Sequence, residues 1–395
     1  MKRAFLPYLF ALLAILTEAP AFAASTEQNI PELKTVFSSE IMAPYRGIRE
    51  LFFSEDGTTF LLGSQYNGAM LFQTSGFPML EKYHVCGNQP ACKDKATIYG
   101  LGYIDANTWY IAAEAWPYME NGQPGTPDGK IVIRIRTIYP PQEAASYSFP
   151  SDSCERTVNE RYVFANKDHI ACSGLMINWH TGEKYKVKST VPVFGIVLTK
   201  DSRVITFGRT SHLFYFSNYY IMDNPLTGEP VWVDSLDDPT DRYRVVRSWW
   251  GCTLVSVPDK KEIGSCGTLP LFGDDNFHIA FSASQKLLAA VIADKARVFQ
   301  IEPFKQLSEF PIFKKVGAIV ISENAWVAAD DGNGLLRVWN SRGKAVGQYA
   351  FGEKKYLRDG LATPPFAFQP GGNKLAVVQV SGVRVFELPA PSAER

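Results

Sequence analysis

From residue 33 onward the chain alternates short apolar runs with clusters of turn residues, and helical periodicity is nearly absent. Leu51-Phe52-Phe53-Ser54 leads through Glu55-Asp56-Gly57 into Thr59-Phe60-Leu61-Leu62-Gly63, then through Asn67-Gly68 into Ala69-Met70-Leu71-Phe72. This order spells strand, tight turn, strand, hairpin, strand, because Asn-Gly supplies the positive φ that a two-residue hairpin turn requires. It returns at 195–208, 279–299, 318–339 and 366–386, the last three ending in Ala296-Arg297-Val298-Phe299, Leu336-Arg337-Val338-Trp339 and Val383-Arg384-Val385-Phe386. Less regular copies run from Tyr99 to Ile135 with a long insertion, from Tyr162 to Val187, and from Arg244 to Phe272 around Trp249-Trp250. Repeat starts fall near 47, 96, 160, 191, 242, 275, 315 and 363, roughly 45 residues apart, a period that belongs to multi-stranded blades. Stacked helical repeats are excluded.

The chain is therefore expected to be all-β, a single β-propeller of four-stranded blades. Eight blades follow from the repeat starts; seven follow if one irregular central repeat is not independent. The last repeat, about 363–388, supplies only three strands before the chain runs out. Leu33-Lys34-Thr35-Val36-Phe37 is the candidate fourth strand, closing the ring so that no sheet edge is left at the seam.

Phe53-Ser54-Glu55-Asp56-Gly57 resembles the strand-turn element of WD40-type repeats, and Asp330-Asp331-Gly332 with Leu336-Arg337-Val338-Trp339-Asn340 resembles their hairpin and third strand. Asn340 stands where the usual aspartate would, and the Gly-His dipeptide of cytosolic WD40 blades is missing. The resemblance is thus to the broad WD40-like and YVTN-like bacterial propeller class, and it implies the propeller fold.

Residues 1–23 read as a leader. Lys2 and Arg3 precede an apolar stretch from Ala4 to Leu16, and Ala21-Phe22-Ala23 offers a small-x-small cleavage pattern. The apolar run falls short of the roughly 20 residues a membrane span needs. No cysteine stands near the cut, so a lipid anchor is not indicated, and no later apolar stretch is long enough to span. The mature part, residues 24–395, is expected to be periplasmic or secreted.

All six cysteines lie in that part, as an oxidising compartment allows. They fall in sequence-local couples, Cys86 with Cys92, Cys154 with Cys172, and Cys252 with Cys266, which is the expected pairing among several possible connectivities.

Composition narrows the function. Forty Lys plus Arg against forty Asp plus Glu leave no net charge, so no general basic field draws the chain to nucleic acid or anionic lipid. At 46% hydrophobic and 13% aromatic residues it is too apolar to be disordered. No G-x-S-x-G, P-loop or G-x-G-x-x-G occurs, and the five histidines are far apart, so no catalytic residue, metal ligand or cofactor is predicted. Asp330-Asp331-Gly332-Asn333-Gly334 opens like a calcium loop but lacks the later glutamate, and reads as a hairpin turn. Asp274-Asp275-Asn276 reads as a solvated loop.

The insertion Trp116-Pro117-Tyr118-Met119, continuing through Asn121-Gly122, Pro124-Gly125 and Pro127-Asp128-Gly129, is the leading recognition element. Such a Pro/Gly-rich loop buries its own aromatics poorly, and Trp, Tyr and Met are enriched at contact surfaces. Trp116, Tyr118 and Met119 are its candidate contacts; Tyr219-Tyr220-Ile221-Met222 is a secondary candidate. The expected role is a non-catalytic protein-interaction or scaffold module, monomeric, with a protein partner. The alternative is a propeller enzyme or enzyme subunit holding a metal, quinone or sugar-like ligand in the central channel.

Overall fold

The structure is a computed structural model. It describes residues 30–40, 48–64, 68–85, 96–115, 129–150, 163–172, 175–186, 193–198, 204–212, 215–223, 230–233, 242–248, 251–256, 261–268, 276–350, 366–379 and 382–389. The leader and the insertion at 116–128 lie outside the described residues.

Among the described residues eight antiparallel sheets follow one another along the chain. Sheet 1 holds Ile48–Phe53, Thr59–Ser64, Gly68–Gln73 and Met79–His84. Sheet 2 holds Ala96–Asp105, Thr108–Ala115, Lys130–Thr137 and Gln142–Pro150. Sheet 3 holds Val163–Ala165, His169–Cys172, Leu175–Asn178 and Lys184–Lys186. Sheet 4 holds Val193–Leu198, Val204–His212, Tyr215–Asp223 and Pro230–Val233. Sheet 5 holds Tyr243–Ser248, Gly251–Ser256 and Lys261–Gly267. Sheet 6 holds Phe277–Phe281, Leu287–Ile292, Lys295–Gln300 and Lys305–Pro311. Sheet 7 holds Ile319–Ile321, Val327–Asp330, Leu335–Trp339 and Ala345–Ala350. Sheet 8 joins both ends of the chain: Phe366–Phe368, Lys374–Gln379 and Gly382–Glu387 come from the C-terminal part, and Lys34–Glu40 pairs antiparallel with the last of them.

Among the described residues the core is a series of wedges between neighbouring sheets packed face to face. Leu61, Leu71, Trp109 and Ile111 fill the wedge between sheets 1 and 2. Val291, Val298, Ile319 and Val327 fill that between sheets 6 and 7, and Leu336, Val338, Leu375 and Phe386 that between sheets 7 and 8. Phe60, Phe72, Val383 and Val385 join sheet 8 back to sheet 1, with Phe60 and Phe72 stacked at 5.0 Å. The apolar alternation of each strand is thus used on both faces, which is why the second strands read as nearly continuous apolar runs: Thr59–Ser64 and Leu287–Ile292 are buried throughout.

The turn from first to second strand repeats one piece of chemistry. Ser54 Oγ accepts from the Thr59 N–H at 3.0 Å, Ser282 Oγ from Leu287 N–H at 3.3 Å, and Ser322 Oγ from Trp326 N–H at 3.1 Å. Each turn then needs one left-handed residue: Gly57 at φ 68°, Gln285 at 57° and Ala325 at 59°. At Gly57 a side chain is also excluded by space, because a Cβ would stand 2.4 Å from the Pro370 carbonyl oxygen of sheet 8.

Sheet 5 departs from the pattern. The repeat start near 242 leads one to expect Tyr243–Ser248 as a first strand, but it occupies the second position. The Tyr243 hydroxyl donates to Glu302, in the turn between the third and outer strands of sheet 6, so the strand begins at the end where every other first strand finishes. Its last strand ends with Gly267 against Arg297 and Ile292, at the opposite end. First strands of sheets 1, 2, 3, 4, 6, 7 and 8 meet a neighbouring first strand, whereas Tyr243–Ser248 makes no comparable contact. Sheet 5 has three strands among the described residues.

Candidate interaction face

Antiparallel order gives every sheet two different ends. First-to-second and third-to-outer turns lie at one end; second-to-third turns and the connectors between sheets lie at the other, here called the connector face. The insertion 116–128 joins the second and third strands of sheet 2, whose flanking ends at Ala115 and Lys130 lie at the connector face.

Its roots are fixed by a buried carboxylate. Glu114 is 3% exposed; its Oε2 accepts from the Tyr99 hydroxyl at 2.8 Å and its Oε1 from the Gly129 N–H at 3.1 Å. Tyr99 sits on the first strand of sheet 2, Glu114 near the end of the second, and Gly129, at φ 70°, where the chain re-enters the third. One side chain therefore ties both stems of the insertion to the innermost strand. Burying a carboxylate is costly unless it is hydrogen-bonded, and here both oxygens are. Trp116, Tyr118 and Met119 themselves lie outside the described residues.

A second buried side chain braces the same face. Asn276, read from sequence as part of a solvated loop, is 5% exposed. Its Oδ1 accepts from Val316 N–H at 2.8 Å, and its Nδ2 donates to the Phe313 carbonyl at 3.3 Å and to the Ala293 carbonyl. It thereby joins the connector before sheet 6, the turn within it and the connector after it. Asp274 and Asp275 lie outside the described residues.

The acidic stretch in sheet 7 is a turn. Asp331 Oδ1 accepts from the N–H groups of Asn333 (2.7 Å) and Leu335 (3.0 Å), an arrangement that spends the carboxylate on the backbone. Asp330 is buried, 4% exposed, with its Oδ1 accepting from Gly332 N–H at 2.7 Å. Burial pushes its carboxyl up to about 6; the Gly332 N–H draws it back, and the charge of Asp331 adds to the rise. Gly317 packs so closely that a Cβ there would stand 2.2 Å from Asp330 Oδ1.

The histidines are spread over several sheets, with only His169 and His180 close enough to feel each other's charge among the described residues. His84 closes sheet 1, His169 and His180 belong to sheet 3, His212 ends a strand of sheet 4 and His278 lies on the first strand of sheet 6. Burial lowers the affinity of His84, His169 and His278 for a proton. Among the described residues no three His, Cys, Asp or Glu side chains come together as a metal site. Tyr219–Met222 lie in the third strand of sheet 4, paired with residues 205–208.

Cys252 and Cys266 form a disulfide between adjacent strands of sheet 5, with Cα atoms 5.3 Å apart. Cys172 is also disulfide-bonded, and its partner is one of Cys86, Cys92 and Cys154, all outside the described residues.

The third-strand arginines carry a role that the sequence reading did not assign. Arg136 of sheet 2 lies 5.3 Å over the ring of Tyr83 in sheet 1 and bonds Glu81 there at 2.5 Å. Arg297 of sheet 6 donates to the Cys266 carbonyl of sheet 5 at 3.3 Å. Arg337 of sheet 7 lies 5.1 Å over Phe313, and Arg384 of sheet 8 lies 5.4 Å over Tyr349 of sheet 7. Arg136, Arg297 and Arg384 reach the preceding sheet and Arg337 reaches the connector that leads from it, so third-strand arginines clamp the seams between sheets. A planar cation that both stacks and donates suits a half-buried seam.

No protein-family model and no curated protein matches the chain. Solved structures do resemble it. The C-terminal WD40 domain of Sif2 aligns with a TM-score of 0.55 at 12% identity, covering 92% of this chain and 100% of that one. The computationally designed Ika8 protein aligns with a TM-score of 0.52 at 13% identity, covering 91% and 100%. Identities this low speak for the fold alone. With the serial antiparallel sheets, they show that the chain has a WD40-like β-propeller fold.

Proposed function

We propose that the chain is an exported, non-catalytic propeller that binds a protein partner through its connector face, with the insertion 116–128 as the principal contact. The observation that carries this reading is the Glu114 anchor. A buried, doubly bonded carboxylate holds both stems of a Pro/Gly-rich loop that carries Trp116, Tyr118 and Met119. A fixed base lowers the ordering entropy a partner must overcome on binding. The Asn276 brace gives the same face a second rigid section. Export is supported by the leader pattern of residues 1–23, together with disulfides that persist only under oxidising conditions.

The test is affinity capture after cross-linking in the native host, comparing the natural chain with one whose residues 117–128 are replaced by a short Gly-Ser linker. Loss of the captured partner with unchanged thermal unfolding is expected. Equal capture by both proteins overturns the assignment of the insertion.

A further inference from the structure

Among the described residues two carboxylates are buried, Glu114 and Asp330. Glu114 has a hydrogen bond on each oxygen. Asp330 is less well provided for. Its Oδ1 accepts from the Gly332 N–H at 2.7 Å, the Ala318 N–H adds a further pull, and no basic side chain among the described residues pairs with it. What closes the site is Gly317. A Cβ there would stand 2.2 Å from Oδ1 and 3.1 Å from Oδ2, yet Gly317 is itself exposed. A single layer of backbone therefore separates a buried carboxyl from water.

That layer is short and its ends are fixed. Upstream, Ile312 N–H donates to the Asp294 carbonyl at 2.8 Å, and Phe313 meets Trp339 edge-on at 5.6 Å. Val316 is buried in the wedge between sheets 6 and 7, with its N–H on Asn276. Downstream, Ile319 enters the first strand of sheet 7. Gly317 and Ala318 lie between these anchors and are held by the backbone of Asp330: Gly317 N–H donates to its carbonyl at 3.0 Å, and its N–H donates to the Ala318 carbonyl at 3.2 Å.

We infer that Gly317 and Ala318 form a lid over the Asp330 carboxyl, seated while the carboxyl is protonated and lifted when it releases its proton to solvent. A neutral carboxyl tolerates a dry site, whereas an ionised one without a cation needs water, and here only movement of the lid admits it. The neighbouring charges do not supply a counter-ion. Asp331, in the same hairpin, adds like charge. Lys314 and Lys315 of the connector are exposed, Arg337 of the third strand lies over Phe313, and Lys295 of sheet 6 is engaged by Glu309. His278 of sheet 6 bonds the Val316 backbone, outside the lid. The first strands of sheets 7 and 8, Ile319–Ile321 and Phe366–Phe368, carry no charge. Acid therefore seats the lid and neutral pH lifts it. Burial has pushed the carboxyl up to about 6, so opening grows between the ordinary aspartate value near 4 and 6 and levels off above. The lid lies on the connector face, but the inference concerns the free chain and stands apart from the partner reading.

Hydrogen exchange of the Gly317 and Gly332 amides, read by mass spectrometry and corrected for the intrinsic rate at each pH, tests the lid. In the natural protein the opening constant is expected to rise at least ~10-fold from about pH 4.5 to about pH 7.5. At each pH both amides should exchange well ahead of those in the buried strand Thr59–Ser64, as a local opening requires. Asp330→Asn is expected to flatten the profile, and Asp331→Asn to keep it. A flat profile in the natural protein overturns the inference. So does the same rise in Asp330→Asn, or a Gly317 amide as protected as those of Thr59–Ser64.

Discussion

Replacing Arg136 by methionine examines the seam between sheets 1 and 2 directly. Arg136 and Glu81 leave only 16% and 13% of their side chains exposed, and the guanidinium lies over Tyr83. Methionine keeps most of the aliphatic length and apolar packing, so its main effect is to strand the Glu81 carboxylate in a half-dry wedge. Removing one member of such a pair costs about 3–5 kcal/mol, of which the lower end applies here because the pair keeps some water. Glu81→Leu together with Arg136→Met removes both charges and is expected within about 1 kcal/mol of the natural protein. Thermal unfolding followed by near-ultraviolet circular dichroism should show a midpoint drop of roughly 5 °C for Arg136→Met and recovery in the double variant. The reasoning is refuted if the two substitutions simply add, because the charges would then be acting independently across a hydrated gap.

Three further outcomes follow from other parts of the ring. Asp330 has its folded carboxyl raised to about 6, so the fold favours the protonated form. The stability linked to this group is full below the unfolded value near 4 and is lost as pH rises through 6. Asp330→Asn is therefore expected to be more stable than the natural protein by about 2–3 kcal/mol at pH 7.5, with most of that difference gone by about pH 4.5; a pH-independent difference in unfolding midpoint contradicts it. Deleting residues 24–40 removes the outer strand of sheet 8 and Phe37, which stacks on Phe77 of sheet 1 at 4.6 Å. Loss of cooperative unfolding, restored by adding a peptide of residues 30–40, is the expected result, and sharp unfolding of the shortened chain refutes it. Non-reducing peptide mapping should recover Cys252 linked to Cys266, and a Cys86–Cys266 peptide is incompatible with sheet 5. Removing that link by a double Cys→Ser change is expected to cost about 3 kcal/mol for a loop of this length.

Much of the ring is legible in the sequence because its repeated chemistry is local. Ser54, Ser282 and Ser322 stand a few residues before the N–H groups they cap, so the turns can be read as strings. The leading strand placed at Leu33–Phe37 lies close to the observed Lys34–Glu40, since its apolar residues face sheets 7, 8 and 1. The position of a strand within its sheet is harder to read. First and second strands carry the same alternation, and only the packing of Tyr243 against Glu302 reveals that Tyr243–Ser248 is a second strand. Glu114 carries no signal of its role in the local sequence. Its role depends on Tyr99, 15 residues away, and on burial that no local pattern encodes. Arg297, Arg337 and Arg384 are visible as repeated letters, but their partners lie in the preceding sheet or the connector from it and emerge only when the sheets are stacked.

The central claim is that the connector face, through the insertion in sheet 2, is where a partner binds. Site-specific photo-cross-linking in the native host tests it, with a photoreactive residue at Tyr118 in one protein and at Asp56, in a turn at the opposite end, in another. A discrete cross-linked partner from position 118 and none from position 56 is the predicted result. Cross-links from position 56 alone, or from neither position, contradict it.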